Sequence, residues 1–261
     1  MATVSANTLF HFTNNIDNLI GILTNNFYPR FCLENHSAFF LNTNYRDPEL
    51  AIPMVCFCDI PLSNISNHVD KYGRYAIGLS KNWGIINNIS PLTYFHDNSV
   101  FVKIIKGLVE LSYQQANSLG SHDYAGIYNK LYQLIGFTKK YIGISNINGK
   151  IQNNICFYNE REWRYCPDTS YLFETGLPYI MEKQDFYNEK LRIKSNNKLE
   201  NQDVSLKFTP SDIKYIILSK ENEIHAMINN IESIKSVKYS SSEIELLKTR
   251  IISMEQVSQD F

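Results

Sequence analysis

Three stretches of the sequence hold residue types at spacings suited to chemistry on a bound ligand. The first is Leu9-Phe10-His11-Phe12-Thr13. Strand alternation sends His11 and Thr13 to one face and Phe10 and Phe12 to the other. An imidazole, which offers both a donor and an acceptor, beside a hydroxyl suits the two hydroxyls of a ribose. The same pair equally suits a satisfied histidine on an edge strand. The second stretch, residues 157–165, reads FYNEREWRY. As one strand it puts Tyr158, Glu160, Glu162 and Arg164 on one face. Phe157, Arg161, Trp163 and Tyr165 take the other, and this aromatic face is expected to pack inward. The carboxylates of Glu160 and Glu162 then stand about 7 Å apart. Two such groups raise one another's pKa, an effect that Arg164 opposes. One carboxylate can bind a ribose hydroxyl and stabilise a developing sugar cation while the other orients or deprotonates an acceptor. A solvated strand face laced with ion pairs fits the spacing as well. The third stretch, Tyr72-Gly73-Arg74-Tyr75-Ala76-Ile77-Gly78, sets two phenol rings around a glycine, a flat surface on which a planar ring can stack. With 17 Tyr in the chain, a structural role for either ring is the alternative.

The elements that must position these groups follow from apolar periodicity. The His11 segment reads as a short strand. Ile16, Leu19, Ile20, Leu23 and Phe27 then fall at i, i+3, i+4, i+7 and i+11, one helical stripe that Asn14 or Asn15 can cap. Residues 30–50 read as a loop. Residues 52–60, IPMVCFCDI, form a run apolar enough for a strand buried on both faces, stopped by Pro61. Residues 75–80 give a second interior strand, and residues 99–118 and 122–137 two helices. Residues 141–144 and 156–166 read as strands, with Asn148-Gly149 as the turn between them. The polar stretch 168–207 reads as irregular. Beyond it a strand at 215–219, a helix at 221–233, a short strand at 236–239 and a helix at 241–248 make a small α/β layer. The organisation expected is α+β: a core over 1–170, a polar insertion or loop over 171–207, and a C-terminal α/β layer over 208–261 packed on the core.

Composition narrows the function. The 261 residues are 44% hydrophobic and 20% charged, ordinary for a globular chain. Lys and Arg number 25 against 26 Asp and Glu, so a globally basic nucleic-acid wrapper is excluded, although a local groove lined by Lys139, Lys140, Lys150, Arg161 and Arg164 is not. No run approaches the roughly 18 apolar residues of a membrane span, and the first residues lack a signal-peptide layout, so a cytoplasmic protein is expected. The five Cys are irregularly spaced and read as buried thiols in a reducing compartment, with no zinc set. The signatures of Rossmann, P-loop, zincin and α/β-hydrolase proteins are missing.

In chain order the three stretches resemble known families. The opening LFHFTNNIDNLIGIL is similar to the first strand and helix of the DNA-modifying ADP-ribosyltransferase toxins, and NEREWRY sits where that family carries its catalytic Glu. The longer pattern HFT, PMVCFCDIPLSN, YGRYAIGLSKNWG and NEREWRY resembles the AbiGi abortive phage-resistance family, whose label is that of an antitoxin; this likeness runs over roughly residues 8–255. The transferase resemblance implies a split β-sheet that grips NAD without a metal. His11 and Thr13 would hold the adenosine ribose, and Tyr75 or Tyr72 would stack on nicotinamide. Arg46 would contact phosphate, Glu162 would support the oxocarbenium-like transition state, and Glu160 would orient the acceptor.

The leading expectation is therefore an NAD-dependent ADP-ribosyltransferase toxin of a phage-defence system, acting on a DNA or RNA base, in which Glu162→Gln abolishes transfer and leaves the fold intact. Its rival is a non-catalytic antitoxin that neutralises a separate toxin protein by direct binding. A third reading, a magnesium nuclease, needs Asp59 or Asp97 beside the two glutamates.

Overall fold

The computed structural model describes residues 5–40, 49–118, 124–147 and 150–260, and over them the fold is α+β around a nine-stranded sheet. The first strand, β1 (Thr8–Thr13), leads into α1 (Ile16–Asn25), whose start is capped by the Asn15 side chain accepting from the Asn18 N–H at 2.8 Å. Residues 30–50, expected as loop, instead supply β2 (Arg30–Asn35), α2 (Ser37–Phe40) and the start of β3 (Glu49–Cys58). The physical reason is pairing: β2 runs antiparallel to β3 from Arg30↔Met54 to Asn35↔Glu49, and a partner strand supplies order that polar Glu34 and Asn35 do not advertise. Then come α3 (Ser66–Tyr72), β4 (Tyr75–Ser80) and α4 (Lys81–Ile86).

The short strands β5 (Ser90–Pro91) and β6 (Thr93–Phe95) precede two helices, α5 (Val100–Ser118) and α6 (Tyr124–Gly136). Next are β7 (Thr138–Lys140) and an antiparallel pair, β8 (Ile142–Ile147) and β9 (Lys150–Cys156); the Asn148-Gly149 turn itself lies outside the described residues. The strand expected over 156–166 is broken. Residues 157–160 form one 3-10 turn, Arg161 takes left-handed backbone at φ 44°, and β10 (Glu162–Tyr165) begins only after it. The stretch 168–207 is not irregular, because it carries α7 (Thr169–Glu174), β11 (Met181–Glu182), α8 (Lys183–Tyr187) and α9 (Glu189–Lys198). These elements are short, and α9 is polar all round, so no apolar period betrays it.

The C-terminal segment enters the main sheet: β12 (Ile213–Leu218) pairs antiparallel with β4. After α10 (Ile224–Lys235) and α11 (Ser241–Lys248), β13 (Ile251–Ser253) pairs parallel to β12, and α12 (Met254–Asp260) follows. No strand forms over 236–239, where the chain turns after α10.

Strand alternation builds a core on each face. Leu9, Ile77, Leu79, Ile216 and Leu218 pack with α1, α4, α10 and α11 on one side. Phe10, Ala76 and Ile217 pack with α3 and α12 on the other. This two-sided burial explains why β4 and β12 read as nearly continuous apolar runs. The long β3 ties the sheet together, because its first half pairs with β2 and β11 and its second half with β10. Its register with β1 is limited to Phe10↔Cys58.

Candidate functional site

Beyond Phe10↔Cys58 the β1–β3 ladder gives way to a side-chain bond: His11 Nδ1 lies 2.8 Å from the Cys56 carbonyl, with its ring edge-on to Phe27 and Phe57. Burial holds the His11 imidazole below its ordinary pKa, so it is neutral and donates Nδ1–H to that carbonyl. A cavity of about 310 Å³ opens here, with β1 and β3 in its walls. Of the candidate site and groove residues singled out in the sequence, His11, Tyr72, Lys139, Glu160 and Glu162 line it. Cys32 and Cys56 also line it, their thiols in contact.

The carboxylates at this cavity are not free groups. Arg164 is fully buried and donates from Nε to Glu162 Oε1 at 2.5 Å, from Nη2 to Glu34, and from Nη1 to the Gly136 carbonyl at 3.0 Å. Lys139 Nζ donates to Glu162 Oε2 at 2.7 Å and to Glu160 Oε2 at 3.0 Å. Lys71 closes the chain on Glu160 Oε1. Three carboxylates thus face three cations in one network drawn from β2, α3, β7 and β10 and the turn before β10. Burial works to raise the Glu162 carboxyl, but Arg164 and Lys139 overcome it and hold the group far below the usual carboxylate range. Glu160 is lowered in the same way by Lys139 and Lys71. Burial disfavours the Lys139 charge, yet Glu162, Glu34 and Glu160 outweigh it and push its pKa well up.

The inward direction of this face corrects the sequence reading. Glu162 and Arg164 are buried, whereas Trp163 and Tyr165 are partly buried against the opposite core. Charge complementarity makes inward burial tolerable, since each ion finds its partners there. The left-handed turn at Arg161 also removes Glu160 from the strand, and Lys139, not strand repeat, brings the two glutamates together.

Other expected residues fall elsewhere. Thr13 Oγ1 accepts from Asn18 Nδ2 at 2.9 Å and so anchors the start of α1. Tyr75 pairs across the sheet with Thr13, but its hydroxyl donates to Glu223 at 2.7 Å and its ring does not line the cavity. Arg46 lies outside the described residues. Asp59 is bound to Ser5 Oγ at 2.8 Å, the Ala6 N–H at 2.8 Å and Lys81 at 2.8 Å, while Asp97 pairs with Lys140 at 3.1 Å. Among the described residues no group of three or more His, Cys, Asp or Glu is placed to hold a metal ion, and no helix is long and apolar enough to cross a membrane. Sequence reasoning missed Glu34, Lys71 and the linking role of Lys139. Each is an unremarkable charge in the sequence: the register of β2 brings in Glu34, the pairing of β7 with β6 brings in Lys139, and Lys71 arrives from α3 through its ion pair with Glu160.

Comparison with known proteins places the molecule in a class. Residues 25–219 match the model of the family described as "Putative abortive phage resistance protein AbiGi, antitoxin", and the chain belongs to that family. A relative from Lactococcus lactis subsp. cremoris, named abortive phage resistance protein AbiGi, is 29% identical over 256 residues, covering 90% of this chain and 99% of its own. No solved structure matches the chain. Family membership overturns the expectation of an NAD-dependent ADP-ribosyltransferase toxin that modifies a nucleic-acid base, because the family description is that of an antitoxin.

Proposed function

We propose that this chain is the antitoxin of an abortive phage-resistance system and silences a separately encoded toxin protein by binding it directly. The observation that carries the reading is membership of the AbiGi family over most of the chain's length. Two structural features support it. The carboxylates of the cavity are held in ion pairs with Arg164, Lys139 and Lys71, an arrangement that holds the cavity wall together. In addition, α5 is apolar on two sides. Val102, Ile105 and Val109 are buried, while Val100, Ile104, Leu108 and Leu111 form a second stripe at i, i+4, i+8 and i+11 that faces solvent. Ile104 and Leu111 are 57% and 55% exposed, too much apolar surface for a face with no task. Ile127 and Leu134 of the adjoining α6 add to the exposed apolar surface.

In this reading the α5 stripe is where the toxin seats its own apolar surface. Ile104→Asp and Leu108→Asp place charges at the centre of such an interface and leave the buried side of α5 intact. The purified chain is expected to form a complex with the toxin it is proposed to silence, and each substitution to weaken that complex at least about tenfold. A toxin that binds wild type and both variants equally well removes α5 from the account. The absence of any complex with the wild-type chain removes the proposed function.

A further inference from the structure

A second hollow, of about 510 Å³, shares His68, Tyr72 and Glu160 with the cavity of the ion network. Two buried groups at this hollow are under-bonded: Nε of Arg161 has no partner, and the His68 ring has none beyond the Glu160 backbone beside it. His68 is only 8% exposed and sits between the rings of Phe12 and Tyr72, with centroids 6.2 and 5.9 Å away. Buried polar groups are nearly always paired, so two under-bonded ones in one place call for a cause. Arg161 bears a backbone cost as well. Its left-handed backbone is fixed by its own N–H to the Tyr158 carbonyl at 3.1 Å and by its carbonyl accepting from the Asp59 N–H at 3.1 Å. This arrangement aims the side chain into the hollow, where the guanidinium lies 5.8 Å from the Tyr158 ring centre. Lys71 also lines the space, with its ammonium 5.0 Å from the Tyr72 ring centre.

We propose that this hollow binds a phosphate monoester whose organic part bears an aromatic ring. Arg161 and Lys71 outnumber the carboxylate of Glu160, leaving one positive charge in excess, and His68 adds a neutral N–H donor. That set matches an oxyanion with several acceptor oxygens. The rings of Tyr72 and Tyr158 border the same space and provide faces for that aromatic ring. A bound phosphate ester gives the under-bonded groups of Arg161 and His68 an acceptor. The site is independent of the α5 surface and of the toxin-binding function.

The test is titration of the full chain with inorganic phosphate, phenyl phosphate and AMP, followed by calorimetry and by the NMR signals of the His68 ring. Both esters are expected to bind more tightly than inorganic phosphate and to shift the His68 signals. Tighter binding of AMP identifies a nucleotide as the source, and tighter binding of phenyl phosphate a phosphorylated tyrosine side chain. Arg161→Gln and His68→Gln, checked for wild-type melting behaviour, are each expected to weaken the better ester at least about tenfold, the equivalent of one charge-assisted hydrogen bond. Failure of every phosphate compound to bind or to move the His68 signals at millimolar concentration overturns the proposal. So does binding that both variants leave unchanged.

Discussion

At the scale of single residues, Glu162 illustrates how burial changes the meaning of a carboxylate. Its charge balances Arg164, which is fully buried, and it is shared with Lys139. Glu162→Gln therefore leaves the buried guanidinium with Glu34 as its one remaining carboxylate and takes a partner from Lys139, and a loss of about 3–5 kcal/mol in urea unfolding is expected. This prediction replaces the sequence-based one, in which that substitution left the fold intact. Wild-type stability of the variant contradicts the structural role assigned to Glu162. His36 tests the same environment through pH. It is 2% exposed with Nε2 unpartnered, and burial, helped by the Arg164 charge, lowers its pKa to about 3. Between pH 6.5 and about 3 the unfolded chain binds a proton at this ring that the folded chain refuses, so stability falls as pH falls through that window. From pH 7 to pH 5 His36 alone contributes a loss of about 2 kcal/mol. His11 and His68, also lowered by burial, act in the same direction. Glu160 and Glu162, both depressed, withdraw their contribution only under stronger acid, below their ordinary range. His36→Phe is expected to flatten the unfolding-midpoint profile above pH 5, and an unaltered profile refutes the assignment.

At the scale of elements, the junction of α3 and β4 shows what fixes the cavity wall. Gly73 has φ +108°, and a Cβ there would stand 2.2 Å from the Thr13 carbonyl oxygen. Gly73→Ala is expected to cost about 2 kcal/mol or more, measured as a fall in Tm, because neither backbone nor neighbour can yield. A neutral result means that the turn is looser than its geometry states. This scale also marks how far the sequence could be read. β1, α1, β4 and β12 announce themselves, because their apolar residues repeat at the strand or helix period and face cores. The broken strand before β10 does not. An arginine in left-handed backbone has no warning in the chain, and missing it made one strand of residues 157–165. Of the site, His11, Tyr72, Glu160 and Glu162 were legible as a group, while Thr13 and Tyr75 fall to structural bonds with Asn18 and Glu223. Lys71 and Glu34 were not legible as members, since their partners are distant in sequence and their side chains carry no pattern of their own, and the sequence marks Lys139 only as a groove cation, not as the link between the two glutamates.

At the scale of the whole molecule, the sheet and the cores packed on it hold a network of three carboxylates and three cations, and α5 carries exposed apolar surface on the outside. The proposed function assigns stability to the inside and recognition to that helical face. The most direct measurement is bacterial growth with the chain expressed alone, with the toxin it is proposed to silence, and with that toxin after Leu108→Asp. The account predicts that the chain alone is harmless, that it restores growth stopped by the toxin, and that Leu108→Asp loses this protection while the protein remains folded. Growth arrest by the chain alone, or toxin-stopped growth that the wild-type chain fails to restore, would contradict it.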